Sequence, residues 1–280
     1  MAISVLTNVA SLNAQRNLNA TQNSLSSSIA RLSSGMRINN ASDDAAGLGI
    51  SENLKADLRS LSQASRNAND GVSMSQVAEG SMNEMQGIVT RMRELSIQSA
   101  NQTLGSTERG YIQTEFGQLR NEINRISNVT EFNGQKLIDG SASAGLTFQV
   151  GIQNTADDRI SMSITRLTAS TLGSTSLHIA SASLSTATNA QASINVFDKA
   201  IEQLSTARAK VGAVQNRMQV TISNLSVAHE NLSAANSRIR DVDVASETSQ
   251  LTKSQILSQA GLAVLSQANQ LPNAALSLLR

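Results

Sequence analysis

A seven-residue repeat near the C-terminal end constrains this chain more than any other feature. An interval of seven returns successive side chains to the same face of an α-helix, as the seam of a coiled coil requires. The repeat therefore predicts one long helix over about 192–240 that packs along this face against another helix. Its members are Phe197, Leu204, Val211, Met218, Leu225, Leu232 and Ile239.

A matching ladder in the N-terminal half predicts the partner helix. Apolar residues again recur at multiples of seven, and Ser42, Asp43 and Asp44 supply N-cap candidates just before them. We therefore expect a second long helix over about 44–100. The ladder consists of Leu54, Leu61, Ala68, Met82 and Val89.

The composition favours narrow seams between helices over a thick core. Aromatic residues make up only 2% of the chain and Trp is absent, although hydrophobic residues reach 40%. Globular interiors normally rely on aromatic side chains for much of their volume. Here Ala, Leu, Ile, Val and Met must fill the interior, which suits helices that meet edge to edge.

The charge balance and the lack of Cys exclude several functional classes. The 22 basic residues nearly cancel the 21 acidic ones, whereas a nucleic-acid-binding protein usually carries a basic excess. Without Cys there are no disulfides and no thiolate ligands. No stretch approaches the roughly 20 apolar residues of a membrane span. We therefore expect no nucleic-acid partner, no membrane insertion, no cofactor and no metal.

The middle of the chain is expected to contain a third helix, a β-hairpin and a connector. Ile112, Phe116, Leu119, Ile123 and Ile126 share one helical face. The period then changes to two near 146–164, which predicts a β-hairpin. Residues 168–191 are rich in Ser, Thr and Ala without a period, and we expect a short surface connector there.

Each end of the chain carries a further helical stripe. The N-terminal stripe stops at Gly35, a residue typical of helix C-caps. The few basic residues nearby are too sparse for a lipid-binding face, so pairing with other helices is the better interpretation. The two stripes consist of Leu18, Leu25, Ile29 and Leu32 at one end, and of Leu257, Val264, Ala268, Leu271, Ala275 and Leu278 at the other.

One local motif resembles part of a catalytic zinc site but lacks one of its ligands. His229-Glu230 begins like the zinc-protease helix motif, in which a second His follows three residues after the Glu. Ser233 occupies that position, and the other His of the chain, His178, lies in the connector. A catalytic zinc ion needs about three protein ligands. We therefore expect no enzyme activity.

Several ungapped strings at both ends of the chain resemble bacterial flagellins. They span about 1–165 and 190–280 in the right order. The strings are LSSGMRIN (32–39), DDAAG (43–47), QASRNANDG (63–71), RMREL (91–95), QSAN (98–101), GAVQNR (212–217), QANQ (267–270) and LSLLR (276–280).

This resemblance implies a layered, mostly α-helical rod. Residues 1–43 and 241–280 would form the inner layer, called D0, and residues 44–167 with 192–240 would form the D1 rod with its β-hairpin. The connector 168–191 would replace the outer domains of longer flagellins. The implied function is a structural subunit that polymerises with itself into the flagellar filament. A hook–filament junction protein with similar termini is the alternative.

The resemblance also implies partners and a location. The partners would be an export chaperone, the flagellar export apparatus, the filament cap and the hook-associated junction proteins. The N-terminus lacks a basic segment followed by an apolar run, so we expect export to the extracellular flagellum without a cleavable signal. Recognition by a host Toll-like receptor is implied at Arg91, Leu95 and Glu115.

Overall fold

The described structure consists of long helices with two small antiparallel strand pairs, one of which the sequence predicts. The computed structural model describes residues 7–174 and 177–277, and it places side chains as far as Gln270. Within these residues the helices are α1 Val9–Ser34, α2 Ala45–Ala100, α3 Ser106–Val129, α4 Ala187–Arg240 and α5 Val244–Ser277. The strands are β1 Glu131–Phe132, β2 Gln135–Lys136, β3 Leu146–Gln149 and β4 Arg159–Met162.

The chain divides into two compact units. The terminal unit comprises residues 1–58 and 230–280, and the central unit comprises residues 59–229. These boundaries fall inside α2 and α4, whereas the sequence places the layer boundaries at 43 and 241. The layers concern the polymer rather than the single chain, so that assignment stays a prediction.

Side-chain caps explain where the long helices begin and end. Asp44 Oδ1 accepts a hydrogen bond from the Gly47 N–H at 2.8 Å, which makes Asp44 the N-cap of α2. Thr186 plays the same part for α4 by accepting from Asn189. Gly35 ends α1 with a positive φ of 71°, a conformation that costs an L side chain energy. The predicted stop at Gly35 is confirmed.

The central unit is held together by the packing of α2 against α4. The repeat residues of α4 in this unit are buried: Phe197, Leu204, Val211, Met218 and Leu225. On α2, Leu61, Met82 and Val89 are also buried, and Ala68 is completely enclosed. The remaining members of the two ladders, Leu54, Leu232 and Ile239, belong to the terminal unit and are partly buried.

Helix α3 closes one side of this core. Its residues Ile112, Phe116 and Ile123 are buried, and the ring of Phe116 meets that of Phe197 edge to face at 5.9 Å. A two-residue strand pair, β1–β2, follows around the Asn133-Gly134 turn. The sequence predicts the turn but not the strands, because two residues are too few to show a period.

The predicted β-hairpin is present as β3–β4. Phe148 lies opposite Ile160 in the ladder, and Leu146 lies opposite Met162. Ile160 packs in a small buried cluster with Ala68 and Met218, so the hairpin is anchored on α2 and α4. Ile152 lies beyond the strand and is exposed, which differs from the alternation that the sequence shows.

The expectation of a surface connector over 168–191 is wrong. Leu172, Ile179 and Leu184 are almost completely buried in the main core. The Leu184 N–H donates to Gln113 Oε1 at 2.6 Å, and its carbonyl accepts from Ser99 at 2.6 Å. In addition, residues 187–191 already belong to α4. Isolated leucines without a period can still fill a groove between helices, and sequence periodicity does not detect them.

Replacing Phe197 by Ala should strongly destabilise the central unit. The ring is fully buried against Phe116, and deleting such a side chain typically costs about 3–5 kcal/mol. Urea unfolding followed by circular dichroism measures the change in the free energy of unfolding. Val220→Ala, at a site that is 62% exposed, is the control and should stay within about 0.5 kcal/mol of wild type. Equal stability of the two variants would contradict the assigned core.

Candidate functional site

The first and last helices pair antiparallel in the terminal unit. The Asn8 side-chain amide donates to the Ala268 carbonyl at 2.7 Å, and Ser11 donates to Asn269 at 2.7 Å. Farther along the pair, Leu18 lies beside Gly261. The two ends of the chain, 260 residues apart, therefore form one two-helix element.

Small side chains line most of this contact. The least exposed positions follow an alternating spacing of three and four on both helices, which is the coiled-coil pattern. Ser28 and Ser254 are each 2% exposed, and a Cβ added at Gly261 would lie 3.3 Å from Leu18. The positions are Ser11, Ala14, Leu18, Thr21, Leu25, Ser28 and Leu32 on α1, with Leu251, Ser254, Ser258, Gly261, Leu265 and Ala268 on α5.

Large apolar side chains instead face outward on the same two helices. Each of them is roughly half exposed, and together they outnumber the large apolar residues inside the contact. Scattered exposed hydrophobic residues are ordinary, but this many on one slender helix pair indicate a surface that another protein covers. They are Val9 (59%), Leu12 (51%), Ile29 (51%), Val244 (59%), Ile256 (60%), Leu257 (49%), Leu262 (55%) and Val264 (55%).

The predicted stripes therefore divide into two groups. Leu18, Leu25 and Leu32 lie in the α1–α5 contact. Ile29, Leu257 and Val264 lie outside this contact, and their side chains are about half exposed. Whether these three residues form a seam between subunits stays a prediction. The side chain of Leu271 and the whole of Leu278 lie outside the described residues.

A short antiparallel bridge joins the segments that enter and leave this helix pair. The Arg37 N–H donates to the Arg240 carbonyl, and the Val242 N–H donates to the Gly35 carbonyl at 3.1 Å. The Arg37 guanidinium also donates to the Ile239 carbonyl at 2.9 Å. The Arg240 side chain reaches Glu52 on α2. Together these contacts fix the turn that leads from α1 towards α2.

Asp43 organises that turn through its carboxylate. Asp43 Oδ2 accepts hydrogen bonds from the N–H groups of Asn40 and Asn39, at 3.0 and 3.1 Å. These two bonds, with a weaker contribution from the Arg31 charge, hold the pKa of Asp43 below its ordinary value. The Arg31 guanidinium lies 3.8 Å from Asp43 and 3.9 Å from Glu247 of α5. This charged cluster connects the turn to the paired helices.

Acid should loosen this turn. Because the folded pKa of Asp43 is lowered, its contribution is fully present above the unfolded pKa of about 3.9 and is lost as the pH falls through the folded pKa. We expect the amide signals of Asn39 and Asn40 to titrate together with a midpoint below about pH 3.9. NMR of the isolated chain measures this, and Asp43→Asn should abolish the step. A midpoint above that of free Asp would be incompatible with these hydrogen bonds.

A second cluster of interest lies in the central unit, around Arg91. Its guanidinium donates to Glu115 of α3 at 2.9 Å and to Glu94 at 3.0 Å. The hydrogen bond that Arg91 donates to Glu115, followed by the one it donates to Glu94, raises the pKa of Arg91. All three side chains are about half exposed. The three residues form a flat polar surface across α2 and α3.

Leu95 does not belong to that surface. It is only 1% exposed and lies in the main core with Phe116 and Phe197. The expectation that Leu95 shares an exposed face with Arg91 is therefore wrong. The spacing of four residues places both on neighbouring parts of α2, but Leu95 points into the main core and Arg91 does not.

The described residues contain neither a metal-ion cluster nor a membrane-spanning helix. No group of three or more His, Asp or Glu side chains among them could hold a metal ion. None of the described helices is long and apolar enough to cross a membrane. The terminal helix pair, with its outward apolar face, is therefore the strongest candidate for a functional site in this part of the chain.

Comparison with known proteins gives matches along nearly the whole chain. Residues 5–143 match the family model of the bacterial flagellin N-terminal helical region, and residues 194–279 match that of the C-terminal helical region. The chain is 44% identical to a flagellin of Halalkalibacterium halodurans over 273 residues, and 44% identical to a flagellin of Bacillus subtilis over 301 residues. Each alignment covers 98% of both proteins.

Two further similarities come from a filament protein and from a solved structure. The chain is 42% identical over 283 residues to the flagellar filament 33 kDa core protein of Treponema phagedenis, covering 98% of each. A solved structure described as a flagellar hook-associated protein from Vibrio parahaemolyticus superposes with a TM-score of 0.61. At 16% identity, over 71% of this chain and all of that one, the likeness concerns the fold alone.

Proposed function

This chain belongs to the bacterial flagellin family, and we propose that it polymerises into the flagellar filament that propels swimming cells. Flagellins are structural proteins and not enzymes. The observation that carries the proposal is the outward apolar face of α1 and α5. In this proposal, α1 and α5 of neighbouring copies cover this face.

The energetics of the helix pair favour this occupant. Each outward side chain is roughly half exposed in the single chain, so covering it would contribute on the order of 1 kcal/mol. A contact that joins two different patches of identical copies is heterologous, and a heterologous contact that does not close generates an open helical polymer. In this arrangement residues 1–43 and 241–280 form the inner layer, and residues 44–167 with 192–240 form the surrounding rod.

Leu257→Asp should abolish filament formation without unfolding the single chain. Leu257 is 49% exposed, so a carboxylate there remains hydrated in the monomer. In the polymer it would be an unpaired buried charge, which costs roughly 3 kcal/mol or more. The critical concentration should rise about a hundredfold or more. Sedimentation and negative-stain electron microscopy of purified protein measure assembly.

Gln255→Asp is the matched control, since it adds the same charge two residues away at an exposed polar position. It should assemble far better than Leu257→Asp, and both should show wild-type thermal unfolding. Normal filaments of Leu257→Asp would contradict the assignment of this face to the subunit contacts. Failure of the wild-type protein to form any filament would overturn the proposed function itself.

The same face explains why the subunit needs partners before assembly. Ile256, Leu257, Leu262 and Val264 would be exposed on every free copy, and exposed apolar surface promotes aggregation. We infer that an export chaperone covers α5 in the cytosol and hands the chain to the flagellar export apparatus. Export would proceed without a cleavable signal. The filament cap and the hook-associated junction proteins would then meet the two ends of the polymer.

A hook–filament junction protein is the second candidate. Its support is the fold shared with the hook-associated structure from Vibrio parahaemolyticus. The identity of 44% to flagellins over almost the full length favours the filament subunit. The experiment above separates the two candidates, because only a filament subunit must form long filaments alone.

We also propose that a host Toll-like receptor specific for flagellin binds the surface around Arg91 and Glu115. The support is the exposure of both side chains and the several directed donors of Arg, which make it a frequent centre of binding energy. A receptor carboxylate would have to replace Glu94 or Glu115 as a partner of Arg91. Because Leu95 is buried, it would act only indirectly, by helping to hold α3 in place.

Arg91→Ala in monomeric protein should weaken receptor signalling roughly tenfold or more, as loss of a central Arg contact does. Glu115→Ala should also weaken it, because Arg91 would lose the hydrogen bond that orients it. Arg93→Ala is the control, since Arg93 pairs with Asp198 elsewhere on the unit. A receptor-reporter assay gives the half-maximal concentrations. Wild-type potency of both variants would remove these residues from the site.

A further inference from the structure

Two surfaces of the central unit carry opposite charge and have matching length. We propose that the exposed stripe of α4, defined as Lys199, Glu202, Thr206 and Lys210, packs into the groove between α2 and α3 of a second copy. This inference rests on the proposed function, because it assigns one of the contacts through which copies would join. The groove is defined by Val77, Gly80, Glu84, Glu122, Arg125, Val129 and Glu131.

The α4 stripe is a continuous row of side chains on one helix face. Its members are spaced by three, four and four residues and all are exposed. Lys199 bonds to Glu202 at 2.7 Å, while Lys210 forms no ion pair with any described residue. Arg166 lies beside the stripe, and together with the stripe residues it lines a recess of about 450 Å³. The stripe and the neighbouring Arg166 together carry three cations and one carboxylate, so this surface is basic.

The groove between α2 and α3 is open and acidic. It encloses about 700 Å³, and a Cβ added at Gly80 would meet no atom within 4 Å. Three carboxylates line it, of which Glu122 is paired with Arg125 at 2.6 Å and Glu131 with Lys136 at 2.5 Å. Of these, Glu84 has no ion-pair or hydrogen-bond partner among the described side chains, so its charge is available to an incoming cation. Val77 and Val129 are 39% and 56% exposed there.

The two surfaces match in length and chemistry. Lys199 and Lys210 are eleven residues apart on α4, and Val77 and Ile88, which both line the groove on α2, are also eleven residues apart. Each span is therefore about 16 Å. Lysine stems cover apolar surface while their ammonium groups reach outward, so the stems suit the exposed valines and an ammonium group suits the unpaired carboxylate of Glu84.

This geometry requires two copies. In the single chain the stripe and the groove are separate surfaces of one unit, and no ion pair among the described residues joins them. When the stripe of one copy packs against the groove of the next, two different patches meet, and the same contact can repeat from copy to copy. Complementary potentials would also select the correct register during encounter.

Reversing each surface separately tests the pairing. The groove variant carries Glu84→Lys and Glu122→Lys, and the stripe variant carries Lys199→Glu and Lys210→Glu. All four side chains lie at the surface, so both variants should keep the wild-type helical circular dichroism and thermal midpoint. Each variant alone should lose at least roughly tenfold in sedimentable filament, because like charges face each other at every such contact.

An equimolar mixture of the two variants should assemble, since each stripe then meets a groove of opposite sign. A single chain carrying all four reversals should also assemble, for the same reason. Asp70→Lys with Glu230→Lys changes the net charge as the groove variant does, but outside both surfaces. It should assemble like wild type.

The outcomes decide between this contact and its rivals. Recovery in the mixture and in the fourfold variant establishes the pairing. If each variant forms filaments as well as wild type does, the stripe and the groove do not meet in the polymer. If both variants fail and neither recovers in the mixture, each surface binds something other than its complement, and the pairing is wrong. In both cases wild-type filaments would still form, so the proposed function would stand.

Discussion

The packing of α2 against α4 is the interaction on which the rest of the central unit depends. Phe197, Leu204 and Val211 fill one side of this contact, and the other side consists largely of Ala and Met. With so few aromatic rings available, the helices must approach closely and stay in register. Helix α3, the β3–β4 hairpin and the segment before α4 each bury their apolar side on this pair. None of them is large enough to be stable alone.

The sequence predicts this part of the fold well because large side chains carry it. A repeat of Phe, Leu, Val and Met at seven-residue intervals has one simple structural solution. The α1–α5 contact is different. Its positions include Ser28, Ser254 and Gly261, which no hydrophobicity pattern marks, while the conspicuous residues Leu257 and Val264 face away. A sequence search for small residues at alternating intervals of three and four would have found the true contact.

The other differences between expectation and structure also have local causes. The segment before α4 is buried through separate residues such as Leu172 and Leu184, and isolated residues have no period to read. Arg91 and Leu95 are four residues apart, yet Arg91 is half exposed and Leu95 is buried in the main core. Spacing along a helix gives the direction of a side chain, whereas its exposure depends on which element lies in that direction. Spacing therefore does not predict that Leu95 is buried while Arg91 is exposed.

The chain thus contains two kinds of helix contact with different consequences. In the central unit the large apolar residues are buried, and the contact between α2 and α4 is complete within one copy. In the terminal unit the small residues pair the helices, and the large ones remain outside for another molecule. Pairing through Ser, Gly and Ala brings two backbones close together and so keeps the element slender. A slender helix pair with apolar residues on its outer side can be surrounded by identical pairs, because no bulky internal core separates the faces. The division of side chains between inside and outside therefore favours a subunit that folds in one part by itself and completes the other part only among its copies.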